Sequence, residues 1–396
     1  MLTYEEAFER LLASARPIEA SDAVALTGAL GRILAKPQVS AVQVPPQANS
    51  AMDGYAVRCA DVTTAGIALP VSQRIPAGSI GPALVAGTAA RIFTGAPVPE
   101  GADAVVMQEL CTHGDGAVTL NHVPRLGENI RRAGEDIRAG EEILPAGSCL
   151  DARALGLLAS VGVARVDVRR RLRVALLSTG DELLEPGQPP QPGKIYNSNR
   201  YLLRGLLEQA GCLVTDLGIV ADTLDLTRAA LRRAADGHDV ILTSGGVSVG
   251  EEDHVKAAVQ AEGSLDLWKI AIKPGKPLAF GRIGQAAFVG LPGNPVAAFV
   301  TFLVLVRPFL RRCQGASALQ PQTIRLPAAF EWNADSRREF LRTRVDGDGR
   351  LALFRHQGSG VLTSTVWADG LAIVEPGRTV AVGDAVPYLS FAALGY

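Results

Sequence analysis

The sequence predicts a multidomain α/β protein: a doubly wound α/β domain with an N-terminal mixed domain, an inserted β module and a C-terminal β domain. Three observations carry that expectation. At 396 residues the chain is too long for one ordinary hydrophobic core, so roughly two to four domains are expected. Between residues 171 and 316, short apolar runs alternate with segments of helical period, the pattern of a parallel sheet covered on both faces. On either side of that stretch the texture changes to brief β-like runs separated by Gly, Pro, Asn and Asp.

Taken in order, residues 4–14 place Tyr4, Ala7, Phe8, Leu11 and Leu12 at helical spacing and predict an amphipathic helix. Residues 21–34 suggest a second short helical stretch, ended by Pro37. Runs at 56–57, 90–94, 104–108 and 117–120 read as strands of a small β-rich module. A helix over 151–161 follows, with Asp151 as its N-cap. The α/β pattern then gives strands at 172–177, 213–220 and 239–242 and helices at 199–210 and 224–235. The apolar run 296–306 is too short to cross a membrane, which takes about 20 residues, and reads as a buried helix. Short strands at 323–326, 349–353, 371–374 and 385–389 close the chain. The implied partition is 1–41 with 140–170, 42–139, 171–316 and 317–396.

Composition removes several classes of function. A formal net charge of −1 argues against bulk nucleic-acid binding, which needs a basic surface. The five cysteines (Cys59, Cys111, Cys149, Cys212, Cys313) are scattered without C-x-x-C spacing, which fits a reducing cytoplasm and neither a disulfide framework nor a zinc site. The acidic, amphipathic first residues do not read as a signal peptide. No G-x-S-x-G elbow is present, so a serine nucleophile is not expected.

Candidate chemistry gathers where strands end, because ligands of open α/β sheets bind outside the carboxyl ends. After 239–242 comes a glycine-rich turn with Ser244, Gly245, Gly246 and Ser248, then Gly250 and the acidic trio Glu251, Glu252 and Asp253. Glycines let backbone N–H groups approach a ligand, and a helix start adds unpaired donors suited to an oxyanion. Carboxylates there would repel an oxyanion unless a divalent cation intervenes, which points to a phosphate-like ligand with Mg²⁺. Asp181, Glu182 and Asp222 follow other strands and would reach the same rim. Mg²⁺ takes one or two carboxylates with water and phosphate oxygens, although Asp181 and Asp222 read equally well as helix N-caps. Lys269, Lys273 and Lys276 lie in an apolar, proline-stiffened stretch and suit a small dianion. In Leu291-Pro-Gly-Asn-Pro-Val296, Pro292 opens the turn, Asn294 suits an N-cap and Pro295 the first helical position. Within 42–139, Asp53, Thr94, Arg131 and Asp136 are ordinary turn or surface residues on chemistry alone.

Read together and in order, Asn49-Ser-Ala-Met-Asp-Gly-Tyr-Ala56, Phe93-Thr-Gly-Ala-Pro-Val-Pro99, Gly134-Glu-Asp-Ile137, Ser178-Thr-Gly-Asp-Glu-Leu183, Thr243-Ser-Gly-Gly-Val-Ser-Val-Gly250, Lys273-Pro-Gly-Lys-Pro277 and Leu291-Pro-Gly-Asn-Pro-Val296 resemble the molybdopterin molybdenumtransferases, the MoeA family, which includes the gephyrin E domain. The resemblance spans about residues 1–390. It implies an elongated homodimer whose site lies between the α/β domain of one subunit and the inserted module of the other. It also implies the reaction: adenylylated molybdopterin binds, molybdate is placed on its dithiolene sulfurs, the phosphoanhydride is cleaved and AMP leaves, giving molybdenum cofactor. In that scheme Glu182, Asp222 and Asp253 position Mg²⁺, and Asp53, Thr94, Arg131 and Asp136 complete the site across the dimer. The lysines, the glycine turn with Ser244 and Ser248, and Pro292, Asn294 and Pro295 hold substrate. Implied partners are the molybdopterin adenylyltransferase and downstream cofactor-handling proteins, with no membrane or nucleic acid. The α/β region alone also resembles the smaller adenylyltransferase, though the β modules and the 49–56 motif favour the insertase. A tungstate-handling paralogue and a gephyrin-like scaffold are the other readings.

Overall fold

A computed structural model describes residues 1–246 and 254–396. The central element is a six-stranded sheet in the order Leu213–Val220, Arg173–Thr179, Val240–Ser244, Ala286–Leu291, Pro277–Ile283 and Gly263–Lys269. Side chains alternate across it, as the period of two requires. Val174, Leu176, Val240 and Leu242 face a core built with Leu203 and Leu207 of the helix Ser198–Gln209 and with Phe302, Leu305 and Phe309. Ala175, Leu177 and Ile241 face the other way, onto Leu231 of Leu224–Ala235 and Val255 and Val259 of His254–Glu262. Helices therefore cover both faces, and the carboxyl ends of the strands remain as an open rim.

The expected parallel sheet needs a correction. Its first four strands are parallel, but Pro277–Ile283 runs antiparallel to both its neighbours. The cause is local: Ile283 pairs with Ala286, so only Gly284 and Gln285 join the two strands. A parallel return needs a crossover of about a dozen residues or more, whereas two residues close only a hairpin. The apolar run after the sheet is helical as expected, as Pro295–Thr301, a π-helical turn Phe302–Val306, and Arg307–Cys313; nearly all of it is buried.

The first helix, Tyr4–Ser14, forms with a full capping box between Thr3 and Glu6. Ala7 and Leu11 bury into the core of the central sheet, and Leu2 exchanges backbone hydrogen bonds with Lys269 and Ala271. It thus packs on the α/β region rather than beside residues 140–170. The helix expected within 21–34 is instead a strand, Ser21–Ala25, followed by a 3₁₀ turn, Leu26–Gly28. Its Ala- and Leu-rich spacing mimics a helix, but the antiparallel pairing of Val24 with Val166 in Arg165–Arg169 decides the backbone. Ala152–Ser160 is helical, and Asp151 caps it by accepting the N–H of Ala154 at 2.9 Å.

Residues 54–120 form a second six-stranded sheet, ordered Ala104–Met107, Gly54–Val57, Ala89–Ile92, Ile67–Ile75, Ala117–Leu120 and Cys111–His113. A third sheet closes the chain: Ile272–Lys273, Arg338–Val345, Gly370–Val374, Ala385–Ser390 and Ile324–Pro327, with Leu351–Leu353 beside the second of these. Ile272–Lys273 leaves the α/β stretch to pair with Arg338–Val345, which brings the C-terminal strands against the rim.

Candidate functional site

Ser244 lies opposite Leu291 at the ends of two adjacent parallel strands, and the Gly245 N–H donates to the Leu291 carbonyl at 3.1 Å. The chain then passes through Gly245 and Gly246 at φ of +85° and +66°, a region that side chains with a Cβ rarely enter. Next to this turn, Pro292, Gly293 and Asn294 lead into the buried helix with Pro295 as its first residue. Asn294 holds the N-cap position without a capping hydrogen bond from its side chain among the described residues. The Gly293 carbonyl is held instead by Asn199, whose Nδ2 donates to it at 2.7 Å.

These turns form one wall of a cavity of 480 Å³ lined by Gly245, Gly246, Lys273, Lys276, Pro292 and Asn294. Arg337, Gln357, Gly358 and Ser359 of the C-terminal region complete its lining. Arg337 is fixed by Asp335, which accepts its backbone N–H and its Nη2, each at 2.8 Å; this pairing holds the Asp335 carboxyl down at about 2. The Gln357 loop is clamped by the fully buried Arg342. Its guanidinium donates to the Gly358 carbonyl at 3.2 Å and to Ser364 Oγ at 3.2 Å, and its backbone N–H donates to Gln357 Oε1 at 2.9 Å. Burial lowers the Arg342 guanidinium to about 10, which still leaves it protonated at neutral pH. The Ser359 carbonyl accepts from the Val296 N–H at 3.0 Å, tying this loop to the helix behind the cavity.

The three lysines do not converge on one point. Lys269 lines a separate 620 Å³ cavity with Arg10, Lys256 and Trp268, and Lys276 borders both spaces. Lys273 is held by carboxylates: its Nζ lies 3.1 Å from Glu339 Oε1 and 3.5 Å from Asp335 Oδ2.

Along the rim, neither Asp181 nor Asp222 is a helix cap; Asn197 caps the first following helix, and the second starts after Thr223. Asp181 Oδ1 instead accepts the backbone N–H of Asp222 at 3.2 Å, linking the ends of two adjacent strands. Glu182 is exposed beside them. Ser178, Thr179 and Thr243 bury hydroxyls at the same strand ends with no partner among the described residues, a departure from the usual pairing of buried polar groups. Carboxylate oxygens are the hard donors that Mg²⁺ takes, so Glu182 and Asp222 fit such an ion chemically. No group of three metal-ligating side chains occurs among the described residues, and the third expected carboxylate, Asp253, lies outside them, as does Ser248.

The inserted module brings the segments of Asp53, Thr94 and Arg131 together. Asp53 Oδ1 accepts both the backbone N–H and the hydroxyl of Thr94 at 2.8 Å, and these bonds hold its carboxyl below the ordinary value. Arg131 pairs with Asn49, and Asn49 bridges to Pro97, so three separate motifs meet there. Asp136 sits where the chain pairs back to Val44, its N–H donating to the Val44 carbonyl at 3.0 Å. No residue between 42 and 139 lines the 480 Å³ cavity.

Comparison with known proteins matches three consecutive regions. Residues 2–162 match the MoeA N-terminal region (domain I and II), residues 175–312 a probable molybdopterin binding domain, and residues 325–391 the MoeA C-terminal region (domain IV). A molybdopterin molybdenumtransferase of Haemophilus influenzae is 40% identical over 396 residues, covering 98% of each chain. The chain belongs to the molybdopterin molybdenumtransferase family. A relative of that name from Nostoc sp. is 38% identical over 377 residues, covering 91% of this chain and 86% of its own. A molybdopterin biosynthesis MoeA protein of Pyrococcus horikoshii OT3 has the same fold, with a TM-score of 0.85 at 28% identity, covering 98% of this chain and 100% of that one. The family is one of transferases, and the multidomain α/β architecture is that of MoeA. Among the described residues no helix is long and apolar enough to cross a membrane.

Within this family architecture, sequence reasoning missed the C-terminal wall of the cavity. Arg337, Gln357, Ser359 and the clamp Arg342 lie in a region that reads only as short β-strands. The strand Arg338–Val345 hid its buried charges: Arg338, Glu339, Arg342 and Arg344 are all charged, so nothing in the sequence sets the buried Glu339 and Arg342 apart from the other two.

Proposed function

We propose that this chain inserts molybdate into adenylylated molybdopterin, with Mg²⁺-dependent cleavage of the phosphoanhydride and release of AMP. The observation that carries this reading is the 480 Å³ cavity, in which backbone turns, two lysines and an arginine surround a space suited to a tetrahedral dianion. Lys273, Lys276 and the Gly246 N–H bind the oxyanion, and Arg337 with Ser359 adds donors from the C-terminal region. Lysine suits this task because its ammonium is a compact charge with three donors.

The rim carboxylates Glu182 and Asp222, with Asp253, would hold Mg²⁺, which when bound supplies neutralising charge to the phosphoanhydride oxygens. The same carboxylates orient the attacking water by accepting its hydrogens. Phosphoryl cleavage demands positioning and charge neutralisation more than covalent help, so the absence of a nucleophile motif fits. Asp53, Thr94, Arg131 and Asp136 complete the site from a second copy in a homodimer. That reading is supported by the meeting of the Asp53, Thr94 and Arg131 segments, away from the cavity of their own chain.

The test is AMP release from adenylylated molybdopterin and Mg²⁺, with and without micromolar molybdate. Molybdate-stimulated release with metal appearing on the pterin is expected; tight pterin binding without release would refute the assignment. Mixing Asp53→Ala with Lys273→Ala subunits tests the shared site. Random pairing should restore about a quarter of wild-type activity, because half the dimers would then hold one intact site. No recovery after verified subunit exchange would place both residues in a single-chain site.

A further inference from the structure

We propose that Glu339 is a positioning residue that fixes the Lys273 ammonium and thereby sets which tetrahedral dianion the cavity selects. The proposal rests on the reading of the cavity as the molybdate site and extends it to a residue that does not touch the substrate. Glu339 lies in the strand Arg338–Val345, in register beside Lys273 of the two-residue strand Ile272–Lys273. Its side chain is 1% exposed, while that of Lys273 is 37% exposed and borders the cavity.

A buried carboxylate is costly unless its lone pairs are filled, and Glu339 fills them from three directions. Oε1 accepts from Lys273 Nζ at 3.1 Å and from the Asp335 N–H at 3.0 Å. Oε2 accepts from Trp332 Nε1 at 3.1 Å. The backbone of Asp335, the indole and the strand register therefore determine where this anion sits, and the anion determines where Lys273 sits. Lysine alone is a poor ruler, because its four-carbon stem is flexible. An ammonium has three donors; Glu339 takes one and Asp335 stands at 3.5 Å, so the remaining geometry is directed by its two anchors. Asp335 Oδ2 also accepts from Arg337 Nη2 at 2.8 Å, so two neighbouring cations that line the cavity are braced by carboxylates of one strand-and-turn segment. A space bounded by fixed cations distinguishes molybdate from the smaller sulfate, whereas a mobile ammonium follows either ion.

The experiment is calorimetric titration of the full chain with molybdate and with sulfate, for wild type, Glu339→Gln, Glu339→Asp and Thr343→Ala. Glu339→Gln keeps the side-chain shape and an acceptor but loses the charge. Its added net positive charge acts on both dianions alike and cancels in the affinity ratio, so the ratio reports position alone. The molybdate-over-sulfate ratio should fall at least about tenfold in Glu339→Gln, and Glu339→Asp should recover part of it. Thr343→Ala loosens the same strand at a buried site away from Lys273 and should leave the ratio unchanged. An unchanged ratio in a folded Glu339→Gln protein overturns the proposal, as does an equal loss in Thr343→Ala. A wild-type protein that binds neither dianion would instead overturn the reading of the cavity itself.

Discussion

Gly246→Ala should damage both stability and activity, by amounts that follow from its surroundings. At φ +66° a Cβ costs about 1–2 kcal/mol from local sterics alone. That Cβ would lie 2.3 Å from Val255 Cγ2 and 2.9 Å from Thr179 Oγ1, about 1.4 Å inside an ordinary carbon contact in the first case. Neither neighbour can retreat: Val255 is 1% and Thr179 4% exposed, and Val255 packs in the core beneath the central sheet. Overpacking of this kind costs about 1–3 kcal/mol more, for a total of about 2–5 kcal/mol. The turn can relieve the clash only by swinging outward, which carries Gly245 off the cavity wall. A displacement near 1 Å at a reacting centre costs about a hundredfold in rate. Urea unfolding and molybdate-dependent AMP release measure the two effects. Val255→Ala removes the closest atom, so Gly246→Ala/Val255→Ala should show favourable coupling in a double-mutant cycle. Unfolding free energy within about 0.5 kcal/mol of wild type with unchanged turnover would refute the reasoning, and an additive cycle would show that the clash is not the cause.

Two further outcomes concern the cavity walls. Asp335 has a folded value of about 2, below the ordinary 3.8, so its contribution is fully present above about pH 4 and is lost as pH falls toward 2. Because its side chain is 40% exposed, that contribution is at most about 1 kcal/mol after solvent screening. In acid-unfolding curves, Asp335→Asn should be less stable than wild type at neutral pH, and the gap should close between pH 4 and 2; a gap that persists unchanged to pH 2 would contradict this. Asn199→Ala leaves the Gly293 carbonyl without its 2.7 Å donor and should cost about 1–2 kcal/mol. Because that carbonyl shapes the cavity, thermal stabilisation by added molybdate should shrink as well. A variant with wild-type melting and full molybdate stabilisation would show that the turn holds its shape unaided.

Much of the fold was legible because it depends on short-range pattern. The alternation of apolar runs and helical periods located Leu213–Val220 and Leu224–Ala235 to the residue, and Asp151 and Pro295 marked helix starts through local capping chemistry. The misreadings share a cause. Ser21–Ala25 is a strand only because Arg165–Arg169, far along the chain, pairs with it. Asp181 resembles a cap until its side chain is seen bonding the end of a neighbouring strand.

The sequence by itself determined the family, the α/β core and the glycine, lysine and proline turns that end its strands. These are properties of residue type and spacing within single segments, or of motif order along the whole chain. Only the tertiary structure decided that Lys269 and Lys273 border different cavities and that Arg337, Gln357 and Ser359 complete the lining beside Lys273. It also decided that a buried Glu339 stands behind Lys273. Those relations join residues that strand pairing brings together across long stretches of chain. A buried charge is stable only where such pairing supplies its donors, so its partners cannot be read from spacing along a single segment.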